Sequence, residues 1–392
     1  MSGLSKSVPA STTPILDSAV LPGRARRWKF SQVFFGFALG GVGGWYIASA
    51  LEGESYGMKP AYVLLSFVAA FFFAVAVHEL GHLVAGRLVG FHFSFVQIGP
   101  LSLRLEYGRF KVRVHRGITL GGFAGIQANR VSRLRRRLII FIMGGPGANL
   151  LSIPATVVLV NYAFPSLGRN WVAVPAAQFA FISLLLVLTS FSLKGGTSDG
   201  ARIWMLLSSS DSARRWMSIF ALGLQAKKGV PARSWKRSWI SAASRLRDGS
   251  RDEFVGNWFA YASANDSKDS ARAAIHLERC LELVTLVRPS LLSLAIVEAA
   301  VFVAWFRNDA LTADKWARKV KHPKQGPPLP RIRLQTALLC SRADFDAALI
   351  SWQEGQTWIE NLPATPSNDR LRDSWLEWKE EIHERQNQNV AI

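Results

Sequence analysis

Two histidines and a glutamate are spaced in this sequence as the ligands and the base of a metal site. The run His78-Glu79-Leu-Gly-His82 places the histidines four residues apart. On a helix both imidazoles then lie on one face and can bind one metal ion. Imidazole pairs at this spacing are typical of zinc sites, and Glu79 is placed to take a proton from water at the metal. The run predicts a hydrolytic zinc site, with His78 and His82 as ligands and Glu79 as the base.

The histidines lie within one of several long apolar segments. Crossing a bilayer takes about 20 apolar residues, and four segments are long enough: 30–51, 60–88, 138–164 and 171–193. Apart from Glu79 and Arg87 they contain no Asp, Glu, Lys or Arg. Ionisable groups within a bilayer are costly, so Glu79 in the second segment indicates a functional role. We expect the first segment to be retained as a span, since it is longer than the core of a cleaved signal peptide.

Charge indicates how these segments are oriented. The 392 residues carry a net charge of +20, and residues 1–210 hold 20 Lys and Arg against six Asp and Glu. This basic excess flanks the apolar segments, which is typical of membrane topology and does not call for nucleic acid as a partner. Four spans with the basic segments facing the cytoplasm place both termini there and His78 near the cytoplasmic end of span two. The two cysteines form no paired motif, which fits a reducing compartment.

A zinc site that activates water needs a third protein ligand. The remaining acidic residues of the first 210 are Asp17, Glu52, Glu54, Glu106 and Asp199. Asp199 follows span four on the predicted side of His78, so the topology favours it. His92 and His115, in the segment after span two, are alternatives. Asp199 could instead serve only as the N-cap of a helix over 200–207.

The regions outside the spans differ from one another in pattern. Residues 1–29 form a basic tail that we expect to be disordered. Residues 91–128 alternate apolar and polar side chains between Gly-containing turns, which predicts a small re-entrant β segment. Residues 210–392 show helical periodicity with degenerate, tetratricopeptide-like repeats. The predicted fold is mainly α: a polytopic membrane helical bundle over 30–209, followed by a soluble cytoplasmic α-helical repeat domain.

Three motifs, in order on consecutive spans, resemble the site-2 protease family of intramembrane zinc metalloproteases. The helix that begins at His78 resembles the metal helix of that family. Gly144-Gly-Pro-Gly-Ala-Asn149 is similar to its Gly-Pro-x-Ala-Asn signature, and Ser198-Asp199-Gly200 to its Asp-Gly motif. One departure is that Ser192 and Gly195 stand where the family often has the Asn and Pro of an Asn-x-x-Pro run. The resemblance covers residues 60–205.

The resemblance implies a role for each matching residue. His78, His82 and Asp199 would bind zinc, and Glu79 would activate water. Asn149 would contact or position the substrate strand near the metal. The β segment, with Gly121 and Gly122, would present an extended substrate to the site.

The implied activity is hydrolysis of a single-span membrane protein near the cytoplasmic leaflet, in regulated intramembrane proteolysis. The expected location is the cytoplasmic membrane of a prokaryote, in contact with membrane lipid, with a regulatory protein docked on the helical repeats. A non-proteolytic scaffold that binds partners through the repeats is the alternative, although Glu79 argues against it. A transporter is disfavoured by the lack of an inverted repeat. A tethered soluble protease is disfavoured because residues 211–392 contain no HExxH.

Overall fold

The computed structural model describes residues 15–19, 21, 60–106, 109–114, 121–163, 169–191, 198–287, 289–320 and 328–390. The chain forms two compact units. A membrane unit comprises Arg26–Ala213, and a helical unit comprises Arg214–Ile392 together with Met1–Ala25.

The described residues are mainly helical. In chain order the helices are α1 Ile15–Ser18, α2 Pro60–Leu88, α3 Leu134–Ala163, α4 Arg169–Ser190, α5 Asp199–Leu207, α6 Asp211–Lys227, α7 Arg237–Ser244, α8 Arg251–Asp266, α9 Ser270–Glu282, α10 Pro289–Phe306, α11 Ala310–Ala317, α12 Leu329–Ser341, α13 Phe345–Glu360 and α14 Pro366–Val390. The strands are β1 His92–Ile98, β2 Leu101–Glu106, β3 Arg109–Val114 and β4 Gly122–Gln127. Short 3₁₀ turns lie at Ala232–Ser234 and Val284–Leu286.

Three helices of the membrane unit are long and apolar enough to cross a bilayer. The apolar stretches are Ala61–Leu88 of α2, Leu134–Tyr162 of α3 and Val172–Ser190 of α4. They confirm the second, third and fourth predicted apolar segments as helices. The first, 30–51, lies outside the described residues. Large apolar side chains such as Leu65 and Leu151 remain exposed on these helices, as expected of surfaces that face lipid.

A sharp turn joins the metal-site helix to the sheet. The Gly90 amide bonds to the Arg87 carbonyl and the Phe91 amide to the Gly86 carbonyl, with Gly90 at φ +78°. This is a Schellman motif, and its left-handed residue favours glycine. The chain then enters an antiparallel sheet of order β3-β2-β1-β4. The predicted β segment is confirmed, and the edge strand β4 and strand β1 both pack against α2.

The β2–β3 hairpin has one apolar face and one polar face. The register pairs Leu101 with Val114 and Leu105 with Phe110, and all four side chains are exposed. The alternate pairs carry polar groups, including Arg104 opposite Lys111. Such a two-faced hairpin suits a boundary between lipid and water, because apolar side chains line only one of its sides.

The helical unit builds its core from helices that pack in consecutive pairs: α8 with α9, α10 with α11, and α12 with α13. The helix α10 lies in the centre of this core. Its side chains from Ala295 to Ala304 are almost all buried, while its apolar stretch Leu291–Phe306 is shorter than the three spanning helices.

The tail prediction needs one correction. We predicted disorder over 1–29, but residues 15–18 form α1 and pack in the core of the helical unit. Leu16 is fully buried, Trp316 donates its indole N–H to the Leu16 carbonyl at 3.0 Å, and Asp17 pairs with Arg307. The apolar side chains of this polar tail pack against the core of the helical unit, a contact that local composition does not reveal. Residues 1–14 and 22–29 lie outside the described residues.

Candidate metal centre

The structure brings three predicted ligands together from two helices far apart in sequence. His78 and His82 lie one turn apart on α2, and Asp199 opens α5. The Nε2 atoms of the histidines are 3.2 Å apart. Asp199 Oδ2 lies 3.1 Å from His78 Nε2 and 3.5 Å from His82 Nε2. Three potential ligand atoms therefore form a nearly equilateral triangle.

This triangle fits a zinc ion. Tetrahedral zinc with bonds of about 2.0–2.1 Å separates its ligand atoms by about 3.3 Å. The three separations observed, 3.1, 3.2 and 3.5 Å, bracket that value. Two nitrogens and a carboxylate oxygen are also ligand types that zinc takes at catalytic sites. These residues can therefore hold zinc and leave a fourth position for water or substrate.

Second contacts orient each imidazole. His82 Nδ1 lies 2.9 Å from the Phe141 carbonyl oxygen, and we assign the ring proton to this short contact, although Gly145 N also lies 3.3 Å from Nδ1. The assigned tautomer leaves Nε2 free to bind metal, as is usual for histidine ligands.

His78 has a comparable neighbour in Asn149 on α3. The Asn149 side chain is fully buried, and its Nδ2 lies 3.3 Å from His78 Nδ1. Its Oδ1 is a buried oxygen without a partner among the described residues. Rotating the amide by 180° would pair Oδ1 with an Nδ1–H of His78 and satisfy both atoms. That arrangement again directs Nε2 to the metal.

Two glycines of α3 make room for this packing. A Cβ at Gly144 would collide with the Gly81 backbone, and one at Gly145 would collide with the His82 ring. By contrast, Gly147 faces open space. The close approach of α2 and α3 therefore depends on Gly144 and Gly145, and it brings Asn149 next to His78.

Asp199 is free to serve as a ligand because its neighbour caps the helix. The Ser198 hydroxyl accepts the Ala201 amide at 3.3 Å as the N-cap. Burial alone would raise the pKa of Asp199, but its hydrogen bonds to His78 and His82 outweigh burial and hold that pKa well below the usual range. The alternative in which Asp199 is only a cap does not match this geometry.

Glu79 lies beside the sheet. Its side chain is buried, and its carboxyl group lies against the backbone of the edge strand β4 near Gly122 and Ala124. A Cβ at Gly122 would collide with the Glu79 carboxyl group. Gly122 therefore allows the edge strand to approach the glutamate, whereas Gly121 is exposed and has open space around it.

The other predicted candidates lie elsewhere. His92 is exposed on β1 and Asp17 belongs to the helical unit, while Glu52, Glu54 and His115 lie outside the described residues. Two contacts were missed, the Phe141 carbonyl and the Ala124 backbone. Any residue type supplies a backbone group, so no sequence signal could have identified them.

One comparison with known proteins found a match. The family model of peptidase family M50 matches residues 66–342. The match extends past the three motifs into the helical unit, which the resemblance at residues 60–205 left out. No curated protein matches the chain significantly. No solved structure does so either.

Proposed function

Because the chain belongs to peptidase family M50, the site-2 protease family of membrane metalloproteases, we propose that it hydrolyses a peptide bond of a single-span membrane protein near the cytoplasmic leaflet. The observation that carries this proposal is the ligand triangle of His78, His82 and Asp199 with Glu79 at its side. A bilayer interior offers little water, so a buried polar site at the end of apolar helices suits hydrolysis there.

His78, His82 and Asp199 would hold zinc, which when bound acts as a Lewis acid and makes water a stronger nucleophile. Glu79 takes the proton from the attacking water and passes it to the leaving amine. The β4 backbone at Gly122 lies against the Glu79 carboxyl group and restrains it during these transfers. Asn149 lies against the His78 ring and would position it, in addition to the substrate contact that the resemblance implies.

The edge strand β4 supports binding of an extended substrate. It pairs on one side with β1, and in the described sheet its other edge has no strand partner. A substrate segment that unwinds from its helix exposes backbone groups, and an edge strand can bind them by β-augmentation. Because Gly122 lies against Glu79, a segment added there would run past the base. Gly121 and Gly122 would thus serve substrate binding through their backbone.

The docked tail supports a topology with both termini on one side. Residues 15–19 belong to the same compact unit as the helices that follow the membrane unit. A segment before the spans and a domain after them can pack together only if the chain crosses the membrane an even number of times between them. The three described spanning helices and the predicted span over 30–51 make four. The Arg-rich segments support the proposal that this side is the cytoplasm.

The helical unit supports a role in docking. Its helices pack in consecutive pairs, as in tetratricopeptide repeats, which bind partners along stacked surfaces. We propose that a regulatory protein binds there.

The activity is tested by Glu79→Gln in cells, with quantitative comparison of membrane proteins against the wild type. We expect one single-span precursor to accumulate and its cleavage to fall on the order of 10²–10⁴-fold, because a general base is lost. The purified variant should keep its zinc, since Glu79 is outside the ligand triangle.

A control variant, His78→Ala, should lose both zinc and cleavage. Undiminished cleavage in Glu79→Gln would refute the mechanism. If no membrane protein changes in either variant while the wild type holds zinc, the scaffold alternative is favoured.

A further inference from the structure

Five arginines surround one cavity of about 620 Å³ in the membrane unit. It lies where α2 ends and α3 begins, and Arg87, Arg130, Arg133, Arg136 and Arg137 contribute to its lining. No acidic residue lines it. The hydrolytic mechanism uses none of these arginines.

Their positive charge is not balanced within the described part of the chain. None of the five forms an ion pair with a described carboxylate. Arg137 is nearly buried, and its guanidinium bonds only to neutral oxygens: the carbonyls of Val89, Gly90 and Arg130, and Asn129 Oδ1, at 2.6–3.0 Å. A buried cation with neutral acceptors keeps its full charge, so the cavity attracts anions.

The depth of the cavity relative to the apolar helices indicates which anion reaches it. Arg87 is the penultimate residue of α2, and Arg137 is the fourth of α3. The part of α2 before Arg87 and the part of α3 after Arg137 are apolar spanning segments. The cavity thus lies at the end of two spans, the level at which a bilayer places its phosphate groups.

We propose that this cavity binds the phosphate group of an anionic phospholipid. Guanidinium groups bind phosphate oxygens in bidentate geometry. Arg137 shapes the cavity by bonding both to the end of α2 and to residues 129 and 130. The exposed arginines contact the phosphate. The same helix end follows His78 and His82 within three turns, so a bound lipid would hold the metal-site helix at its cytoplasmic end.

General anchoring by positive charge is the competing explanation, and the chain offers a matched control for it. Arg135 lies in the same Arg-rich run but does not line the cavity, and it donates to Ser209 Oγ at 2.8 Å. Arg109 on β3 is exposed and also outside the lining. General anchoring predicts equal effects of removing any two of these charges, whereas a site predicts that only lining residues matter.

The test is calorimetric titration of the full-length protein, in zwitterionic detergent, with short-chain phosphatidylglycerol. The Arg87→Gln/Arg136→Gln variant should bind about 30-fold more weakly than the wild type, since each arginine near such a surface contributes about 1 kcal/mol. The Arg109→Gln/Arg135→Gln control should bind like the wild type. Phosphatidylcholine with the same acyl chains should bind at least about tenfold more weakly than phosphatidylglycerol, because it carries no net charge.

Equal weakening in both double variants would overturn the proposal in favour of general anchoring. Equal binding of phosphatidylcholine would also overturn it. Displacement of the lipid by an equal concentration of inorganic phosphate would mean that the cavity takes free phosphate and not a lipid.

One further measurement needs no variant. Raising NaCl from about 0.1 to 0.5 M should weaken the binding of phosphatidylglycerol to the wild type, as expected of a charged contact. An affinity that does not depend on salt would contradict the proposal.

Discussion

The two units surround their carboxylates with different partners. In the helical unit, Glu253 accepts from the Asp248 and Gly249 amides and pairs with Arg279. Glu298 likewise accepts from Tyr261 and Arg333. In the membrane unit, Asp199 instead meets two histidine nitrogens. A carboxylate that is paired with an arginine is neutralised and stabilises the fold. When a carboxylate oxygen and two imidazole nitrogens instead point to one position, a metal ion can bind there.

The largest expected effect follows from breaking the converging set. Asp199→Asn should lower the rate of cleavage on the order of 10³-fold or more, the usual loss when one member of a catalytic group is removed. Zinc content should fall with it, because a carboxylate ligand is lost. Zinc analysis and cleavage of a single-span substrate measure the two effects.

Asp248→Asn is the matched control for this substitution. Asp248 pairs with Arg215 at 2.6 Å in the helical unit, so its loss should leave zinc and cleavage unchanged. Retention of full zinc by Asp199→Asn would show that the third ligand is another group.

Sequence patterns predicted most of this site because its chemistry fixes residue types. Helical spacing predicted that His78, Glu79 and His82 lie together, and the predicted topology favoured Asp199 over His92 and His115. The structure groups His78, His82 and Asp199. The contact between Asn149 and His78 could not be predicted, because only packing shows that the Asn149 amide faces the His78 ring instead of open space. The position of Gly122 against Glu79 also depends on tertiary contact.

The spans illustrate the same limit for the fold. Length and composition predicted α2, α3 and α4, and they distinguish them from α10, whose apolar stretch is shorter and lies inside the core of the helical unit. Docking of α1 was missed, since a four-residue helix has no periodicity to detect.

The second prediction tests whether the paired charges of the helical unit are structural. Glu253 has no exposed surface, so Glu253→Gln leaves Arg279 without its buried partner. We expect the opening free energy of α8 and α9 to fall by about 2–3 kcal/mol. Hydrogen exchange of residues 251–282 in the full-length protein should accelerate about 30- to 150-fold, with zinc content unchanged.

Glu282 provides the control, because it pairs with the same Arg279 but is 46% exposed. Solvent screens such a pair, so Glu282→Gln should cost less than about 1 kcal/mol. Equal acceleration in the two variants would mean that burial does not distinguish these ion pairs.

The third prediction compares two buried amides of the membrane unit. Asn149→Ala should weaken zinc binding about 10- to 100-fold, the usual cost of removing a group that orients a ligand. Gln178 is equally buried but bonds to Ser66 and the Val63 carbonyl. Gln178→Ala should loosen helix packing and leave zinc affinity unchanged.

Competition with a zinc chelator measures both variants. If Asn149→Ala binds zinc like the wild type while its cleavage falls, Asn149 contacts the substrate, as the family resemblance first implied.

The smallest expected effect concerns the tail. One of its contacts with the helical unit is the hydrogen bond from the Trp316 indole to the Leu16 carbonyl. Trp316→Phe deletes the indole N–H that binds the Leu16 carbonyl. The lost hydrogen bond should cost about 1 kcal/mol, and the smaller ring also leaves a cavity, so exchange of the amides of residues 15–19 should accelerate at least about fivefold. Trp235→Phe removes an equivalent indole bond, to the Val230 carbonyl, and should not affect the tail.

Faster exchange of the tail in Trp316→Phe alone would support its docking in the full-length protein. Docking in turn requires an even number of crossings between residue 21 and the helical unit. If instead the tail exchanges freely in the wild type, the parity argument loses its basis, and the side of the membrane on which Glu79 works would rest on the Arg-rich segments alone.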